Sequence, residues 1–506
     1  MPVTSPVDLG VVVFYLLAVT VVGCLMSRRT RSAGEFISAG GALPGWVVGL
    51  SILGTFVSSI SFIANPGKSF AANWNPFVFS LSLPYAALVA TIWFVPFFRN
   101  SGSYSAYQHL EKRFGAWARI YAVTFNILYH IGRIGTILFG VSLAMSALLN
   151  VPVAWIIIGL GVLVIAYTLL GGIEAVIWTD VVQSVILIGG MFICLYLVIT
   201  GVPGGFMGII DAASRPDENK LSLGSVACSF SSPTVWTVLL FGFFINLQNF
   251  TADQTYVQRY LTAKSEADAR RSVWIGAVAY LPISAILFFI GTGLFVFYSN
   301  GSAALPPNTK VDAVLPHFIM TQMPTGAAGL LIAAILAAAM STVDSSLNSS
   351  STLLLCDVRN RFFRNDDGDR SPGAQQIEEQ AQLTFLRVMT VVLGIAGIGI
   401  GLAMMRVENI LDVWWRISGT LSGGTLGLIL LARFTKAQGS RGALAGVICG
   451  VSLLAAISVL SPSSVPAFAS GFIGEIQSWF DPLMGIVVGT ITVFVVGSFL
   501  SRRSDN

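Results

Sequence analysis

The residues with the greatest chemical reach lie in Ala337–Thr352, which reads AAAMSTVDSSLNSSST. The stretch sits inside a long apolar run from Gly326 to Asp357, long enough for a helix that crosses a bilayer. Ser341, Asp344, Ser345 and Asn348 stand three or four residues apart, so on a helix they share one face. Hydroxyl and carboxylate oxygens are hard ligands, suited to a hard cation such as sodium. Serines alone are also explained by close helix packing. Asp344 is not, because an ionised carboxylate at mid-depth costs about 2.5–3.5 kcal/mol. It must face a polar cavity, a cation or another protein group, and ion binding is the favoured chemistry of the stretch.

Other polar groups interrupt the apolar pattern. Leu50–Pro66, LSILGTFVSSISFIANP, combines Gly54, Ser58, Ser59 and Ser61 with Asn65-Pro66. Pro66 lacks a backbone donor and disfavours helix just before it. Unwound backbone here would offer carbonyls to an ion, and an ordinary proline kink is the alternative. His130-Ile131-Gly132-Arg133 falls in mid-span. A central arginine stays charged, so Arg133 either pairs with a buried acid or receives an anionic substrate. His130 is expected to be a hydrogen-bonded structural group. Asp180 lies about two turns inside a span, where it caps a neighbour or completes an ion site. Asn246, Gln248, Asn249, Thr251 and Asp253, followed by Gln254, Gln258 and Arg259, mark a second broken helix.

These residues need a membrane frame, and the composition supplies one. The 506-residue chain is 55% hydrophobic and 10% charged, which excludes an ordinary globular protein. The five cysteines are scattered and the three histidines dispersed, so no metalloenzyme spacing is present. The net charge of +4 comes from loop lysines and arginines and implies no nucleic-acid surface. Thirteen spans are predicted, at 7–27, 44–72, 76–98, 118–149, 152–171, 176–200, 234–258, 272–299, 324–356, 383–405, 408–432, 440–460 and 481–500. The first has no basic residues before it and is read as a span, not a cleaved leader. On this count twenty-one of the 28 lysines and arginines, Arg259 among them, fall in loops on one side. Only Arg215, Lys220, Lys310 and Arg406 fall in loops on the other. The positive-inside rule then puts the N-terminus outside and the C-terminus in the cytoplasm. Arg359–Glu379 reads as a solvated cytoplasmic loop, and Trp414, Trp415 and Arg416 as an interfacial anchor.

After the extra helix at 7–27 come two sets of five spans, 44–200 and 234–432, then two further helices in 440–500. Each set begins with a polar, interrupted helix and makes an odd number of crossings. This is the inverted-repeat logic of secondary transporters, with the site at the repeat interface.

The chain resembles the sodium:solute symporter family, the group of sodium–glucose, sodium–proline and sodium–iodide transporters. The resemblance is carried by GGIEAVIWTDVVQ (Gly171–Gln183), DQTYVQRYL (Asp253–Leu261) and LIAAILAAAMSTVDSSLNSSSTLLLCDV (Leu331–Val358). SSISFIANPGKSF (Ser58–Phe70) and HIGRI (His130–Ile134) are similar to its bacterial sialic acid branch. The implied fold is an all-α polytopic membrane protein with a five-plus-five inverted repeat (LeuT-like). The resemblance implies a first sodium site built from backbone carbonyls of Gly54, Val57 and Ala338 and hydroxyls of Ser341 and Thr342. It implies a second sodium site at Asp180, Ser341 and Ser345, hence two sodium ions. Asp344 stands where the branch has a serine and would strengthen that second site or replace its geometry. Implied substrate contacts are Ser58, Ser61 and Arg133, with Ser80 where the branch has a glutamine.

The expected function is sodium-coupled import of a small polar organic solute through the plasma membrane, with sodium and the lipid bilayer as partners. A carboxylated sugar such as sialic acid is the first choice because Arg133 suits an anion. A neutral sugar, polyol or amino acid is the alternative if Arg133 pairs with an acid. A membrane sensor is disfavoured because only a handful of residues follow the last span. An enzyme is disfavoured because no nucleophile–base pair or metal cluster is visible.

Overall fold

A backbone in hydrocarbon must satisfy its own hydrogen bonds, so apolar runs of this length fold as helices. The computed structural model describes residues 5–27, 32–149, 151–301, 303–307, 309–363, 372–406, 410–436, 439–460 and 467–503. Among the described residues, ten helices and one bent pair are long and apolar enough to cross a membrane. Val153–Leu169 and Ile410–Phe434 supply the remaining two predicted spans.

We label the helices that carry the site. They are α1 (Pro6–Ser27), α2 (Gly45–Phe56), α3 (Ser59–Ala71), α4 (Ala116–Leu149), α5 (Val153–Gly201) and α6 (Val235–Ala252). They continue with α7 (Gln254–Thr262), α8 (Glu266–Ser299), α9 (Ala327–Leu353) and α10 (Ile410–Phe434). The helix α5 comprises two predicted spans that meet at Gly172, where φ is 58° and ψ −165°. A side chain there would be strained, and its Cβ would lie 2.9 Å from Phe36 Cα.

Both predicted interruptions are present, and the first falls inside the stretch expected to unwind, Leu50–Pro66, not as a kink at Pro66. Helices α2 and α3 meet at Val57-Ser58 with a 53° bend, and Pro66 lies inside α3. The second break falls at Asp253, whose side chain caps α7 by accepting from the Thr255 amide at 2.8 Å. The helix α7 runs to Thr262, so Arg259 is not a loop residue but a fully buried one.

Two other expectations also differ. Pro372–Ala403 is one helix, so the part of Arg359–Glu379 from Pro372 onwards is helical; residues 364–371 lie outside the described residues. Trp414 and Trp415 face the protein interior, where Trp415 stacks on Phe79 at 5.9 Å and Trp414 packs on Tyr129 at 5.2 Å. The side chain of Arg416 lies outside the described residues.

The helix α9 is buried along nearly its whole length and packs against α1, α4 and α5. Its N-terminus is capped by Asp8 of α1, which accepts from the amides of Gly326 and Gly329 at 2.7 and 2.8 Å. The polar face of α9 is thereby held at fixed depth beside the α2–α3 break.

Candidate functional site

The break between α2 and α3 frees two carbonyls. In a continuous helix the Gly54 carbonyl would accept from the Ser58 amide, and that of Val57 from the Ser61 amide. Here the Ser58 amide donates to Phe56 O at 3.1 Å, and the Ser61 amide to Ser58 Oγ at 3.3 Å. Gly54, Val57, Ala338 and Ser341 line one small cavity between α2, α5 and α9. The approach is close: a Cβ on Gly54 would lie 3.1 Å from both Ser341 Oγ and Ser184 Oγ. Four of the five residues expected at the first ion site are thus together. The fifth, Thr342, donates its hydroxyl to Ala338 O at 3.1 Å and stands behind that carbonyl.

Asp180, Ser341 and Ser345 are also together, but around a protein cation. Arg259 Nη2 donates to Asp180 Oδ2 at 2.9 Å and to Ser345 Oγ at 2.7 Å. Its Nε donates to Ser51 Oγ at 2.8 Å, and Nη1 to Thr255 O at 2.9 Å. Ser51 and Ser341 donate their hydroxyls to the Asp180 carboxylate. Asp344 is turned away from this cluster. Its Oδ2 accepts from the Tyr167 hydroxyl at 2.8 Å, and only Oδ1 faces Ser345, whose hydroxyl is 3.4 Å away. In the sequence Arg259 is indistinguishable from the cytoplasmic loop charges. Its signal is the polar run DQTYVQR, which places Thr255 and Arg259 one helical turn apart.

Ser58, Ser61, Ser80 and Arg133 line a second, larger cavity of about 90 Å³ on the other side of the break. Ser80 shares a hydrogen bond with Ser284 at 2.8 Å. Arg133 Nη2 donates to Thr55 O at 2.9 Å, which leaves Nη1 without a hydrogen bond. The Asp253 carboxylate is 4.0 Å from Nη1 and is itself hydrogen-bonded to His130 at 3.1 Å. His130 is therefore hydrogen-bonded, as expected. The Tyr256 hydroxyl stands beside Arg133 without an aligned hydrogen bond. Asn246 Oδ1 and Asn249 Oδ1, on the cavity-facing side of α6, are likewise unpaired. Buried polar atoms without partners are costly in a protein interior. Their convergence on one cavity marks a site for a polar ligand with donors as well as a negative group. Trp414 and Trp415 close one wall. The sequence singled out both asparagines as polar but gave them no role, and it gave none to Tyr256.

A model of the sodium:solute symporter family matches residues 36–450. The chain is 34% identical to the sodium/sialic acid symporter of Proteus mirabilis, over 96% of this chain and 94% of that protein. It is 32% identical to the sodium/sialic acid symporter of Aliivibrio fischeri, over 94% and 91%. Among solved structures, it is similar to a substrate-bound outward-open state of a Na+-coupled sialic acid symporter. That similarity has a TM-score of 0.85 at 29% identity and covers 98% of each chain.

Proposed function

We propose that this chain, which belongs to the sodium:solute symporter family, imports a carboxylated sugar of the sialic acid type across the plasma membrane, driven by sodium. The observation that carries the substrate class is Arg133, which lines the cavity with Nη2 held by Thr55 O and with Nη1, 4.0 Å from Asp253, making no hydrogen bond. Ser58, Ser61 and Ser80 are assigned to the hydroxyl-bearing part of the substrate.

The backbone between the cavities supports coupling. Gly54 and Val57 offer carbonyls to a sodium ion, and Thr55, between them, holds Arg133. An ion that fixes this turn also fixes the guanidinium that meets the substrate. Sodium then favours the outward-open state, substrate permits closure, and one repeat rocks against the other to release both inside. The repeats are assigned to 44–200 and 234–432, with the N-terminus outside. Two sodium ions are assigned per cycle, one at Gly54, Val57, Ala338, Ser341 and Thr342, and one near Asp344 and Ser345, beside the Asp180–Arg259 pair. Thr342 acts in the first set by orienting the Ala338 carbonyl.

A neutral sugar, polyol or amino acid is the second reading. It is favoured by Asp253, which at 4.0 Å already offsets part of the Arg133 charge. The test is uptake of radiolabelled sialic acid into proteoliposomes under an inward sodium gradient. Accumulation with sodium and none with potassium is expected. Sodium-driven uptake of a neutral hexose that excludes sialic acid would decide for the second reading.

A further inference from the structure

Gln183 lies on α5 one turn beyond Asp180 and lines the same small cavity as Gly54, Val57, Ala338 and Ser341. It is 1% exposed, and neither atom of its amide has a hydrogen-bond partner among the described residues. The Tyr15 hydroxyl lies beside it but is directed at Met340 Sδ, 3.7 Å away. A buried primary amide with no partner is unfavourable, and nothing in the packing needs one, since Leu187 and Leu53 line the same space. The cavity itself is about 10 Å³, room for a single water-sized occupant.

The oxygens assigned to the first sodium come from α2 and α9 alone. A hard cation is stable in a dehydrated site only when oxygens surround it. Apart from the Ser184 hydroxyl, the α5 side would otherwise present Leu187 and Ile188, which cannot ligate. Gln183 is the side chain on that wall with a free carbonyl oxygen. Ser184, its neighbour, donates to Leu50 O at 3.2 Å and keeps its hydroxyl lone pairs, whereas the Gln183 oxygen has no hydrogen-bond partner at all among the described residues.

We propose that Gln183 is a ligand of the first sodium site, its Oε1 closing the α5 side of the ion's shell. This rests on the first site being a sodium site. A neutral amide suits this position because the nearby Asp180 carboxylate is occupied by Arg259, Ser51 and Ser341. The ion is thereby held by dipoles and can leave when the turn at Val57 moves.

The test is sodium titration of purified full-length protein without substrate, followed by tryptophan fluorescence, with lithium as the comparison cation. Gln183→Leu should weaken sodium about 5–30-fold, the effect of losing one neutral ligand, and should alter the sodium-to-lithium ratio. Gln183→Glu keeps an oxygen at the same reach and should bind sodium at least as tightly as the natural protein. Gln183→Asn withdraws the oxygen by one methylene and should weaken it; it carries the test if the leucine variant does not fold. A space-filling role moves neither affinity nor cation ratio. Natural sodium affinity in a folded leucine or asparagine variant overturns the proposal and leaves the symporter reading standing. Absence of any sodium response in the unsubstituted protein sinks both.

Discussion

Arg259 Nη2 lies 2.9 Å from Asp180 Oδ2, and both side chains are fully buried. The acid expected to hold a second sodium is therefore already paired with a cation from the protein. Removing one partner of such a pair leaves an unmatched charge and costs about 3–5 kcal/mol. Arg259→Gln should destabilise the protein in potassium buffer. It should regain stability in sodium, because an ion can then take the place of Nη2 between Asp180 and Ser345. Thermal unfolding in the two buffers measures this. Equal destabilisation in both would mean that the pocket does not accept sodium even when emptied.

Ser341 and Thr342 were equivalent in sequence and are not equivalent in the structure. Ser341 lines the small cavity, whereas Thr342 is not among its lining residues and donates its hydroxyl to Ala338 O. Ser341→Ala should lower apparent sodium affinity about 5–30-fold. Thr342→Ala should have a smaller effect, exerted through the carbonyl it orients. Gly54→Ala should also weaken sodium, because its methyl would approach Ser341 Oγ to 3.1 Å. The sodium dependence of uptake orders the three, and an effect of Thr342→Ala exceeding that of Ser341→Ala would reverse the assignment.

Arg133 divides its guanidinium between Thr55 O and the cavity. A lysine supplies one compact charge and cannot do both. Arg133→Lys should therefore lose at least about tenfold in substrate affinity at saturating sodium, equal to about 1.4 kcal/mol. Calorimetric titration of sialic acid into the folded variant gives the answer. Unchanged affinity in Arg133→Ala would remove the anion clamp altogether.

What could be read in the sequence was whatever leaves a one-dimensional trace. Apolar length gave the spans, and the serine-rich face of α9 gave the ion helix. Motif resemblance gave Gly54, Val57, Ala338 and Ser341, which the structure brings to one cavity. Three-dimensional partners left no such trace. Leu50–Pro66 leaves open an unwound stretch or a proline kink, and the turn falls at Val57-Ser58, with Pro66 carried inside a packed membrane helix. Arg259 looked like a loop charge because its acid is 79 residues away in sequence. Trp414 and Trp415 looked like an interfacial anchor because a tryptophan beside a polar cavity and one beside headgroups have the same composition around them.

Asp344 is the carboxylate that the Arg259–Asp180 pair leaves over. It accepts from Tyr167 and Ser345, neutral donors that would not balance an ionised carboxylate. A second sodium near Asp344 would supply that balance. Its energetic consequence follows from charge counting. One sodium carried with one carboxylate moves no net charge, so the membrane potential contributes nothing. Two sodium ions with the same substrate move one positive charge inward, worth about 2.3 kcal/mol per 100 mV. That raises the attainable concentration ratio roughly fifty-fold. Uptake should therefore be electrogenic, with a sodium Hill coefficient above one. Asp344→Asn keeps the shape and the hydrogen-bonding reach but removes the charge, so it should bring the coefficient towards one or abolish transport. The measurement is sialic acid uptake into proteoliposomes with the potential clamped by potassium and valinomycin. Equal rate and equal extent of uptake at zero and interior-negative potential would exclude the two-sodium cycle, and a voltage response surviving intact in Asp344→Asn would move the second ion away from this residue.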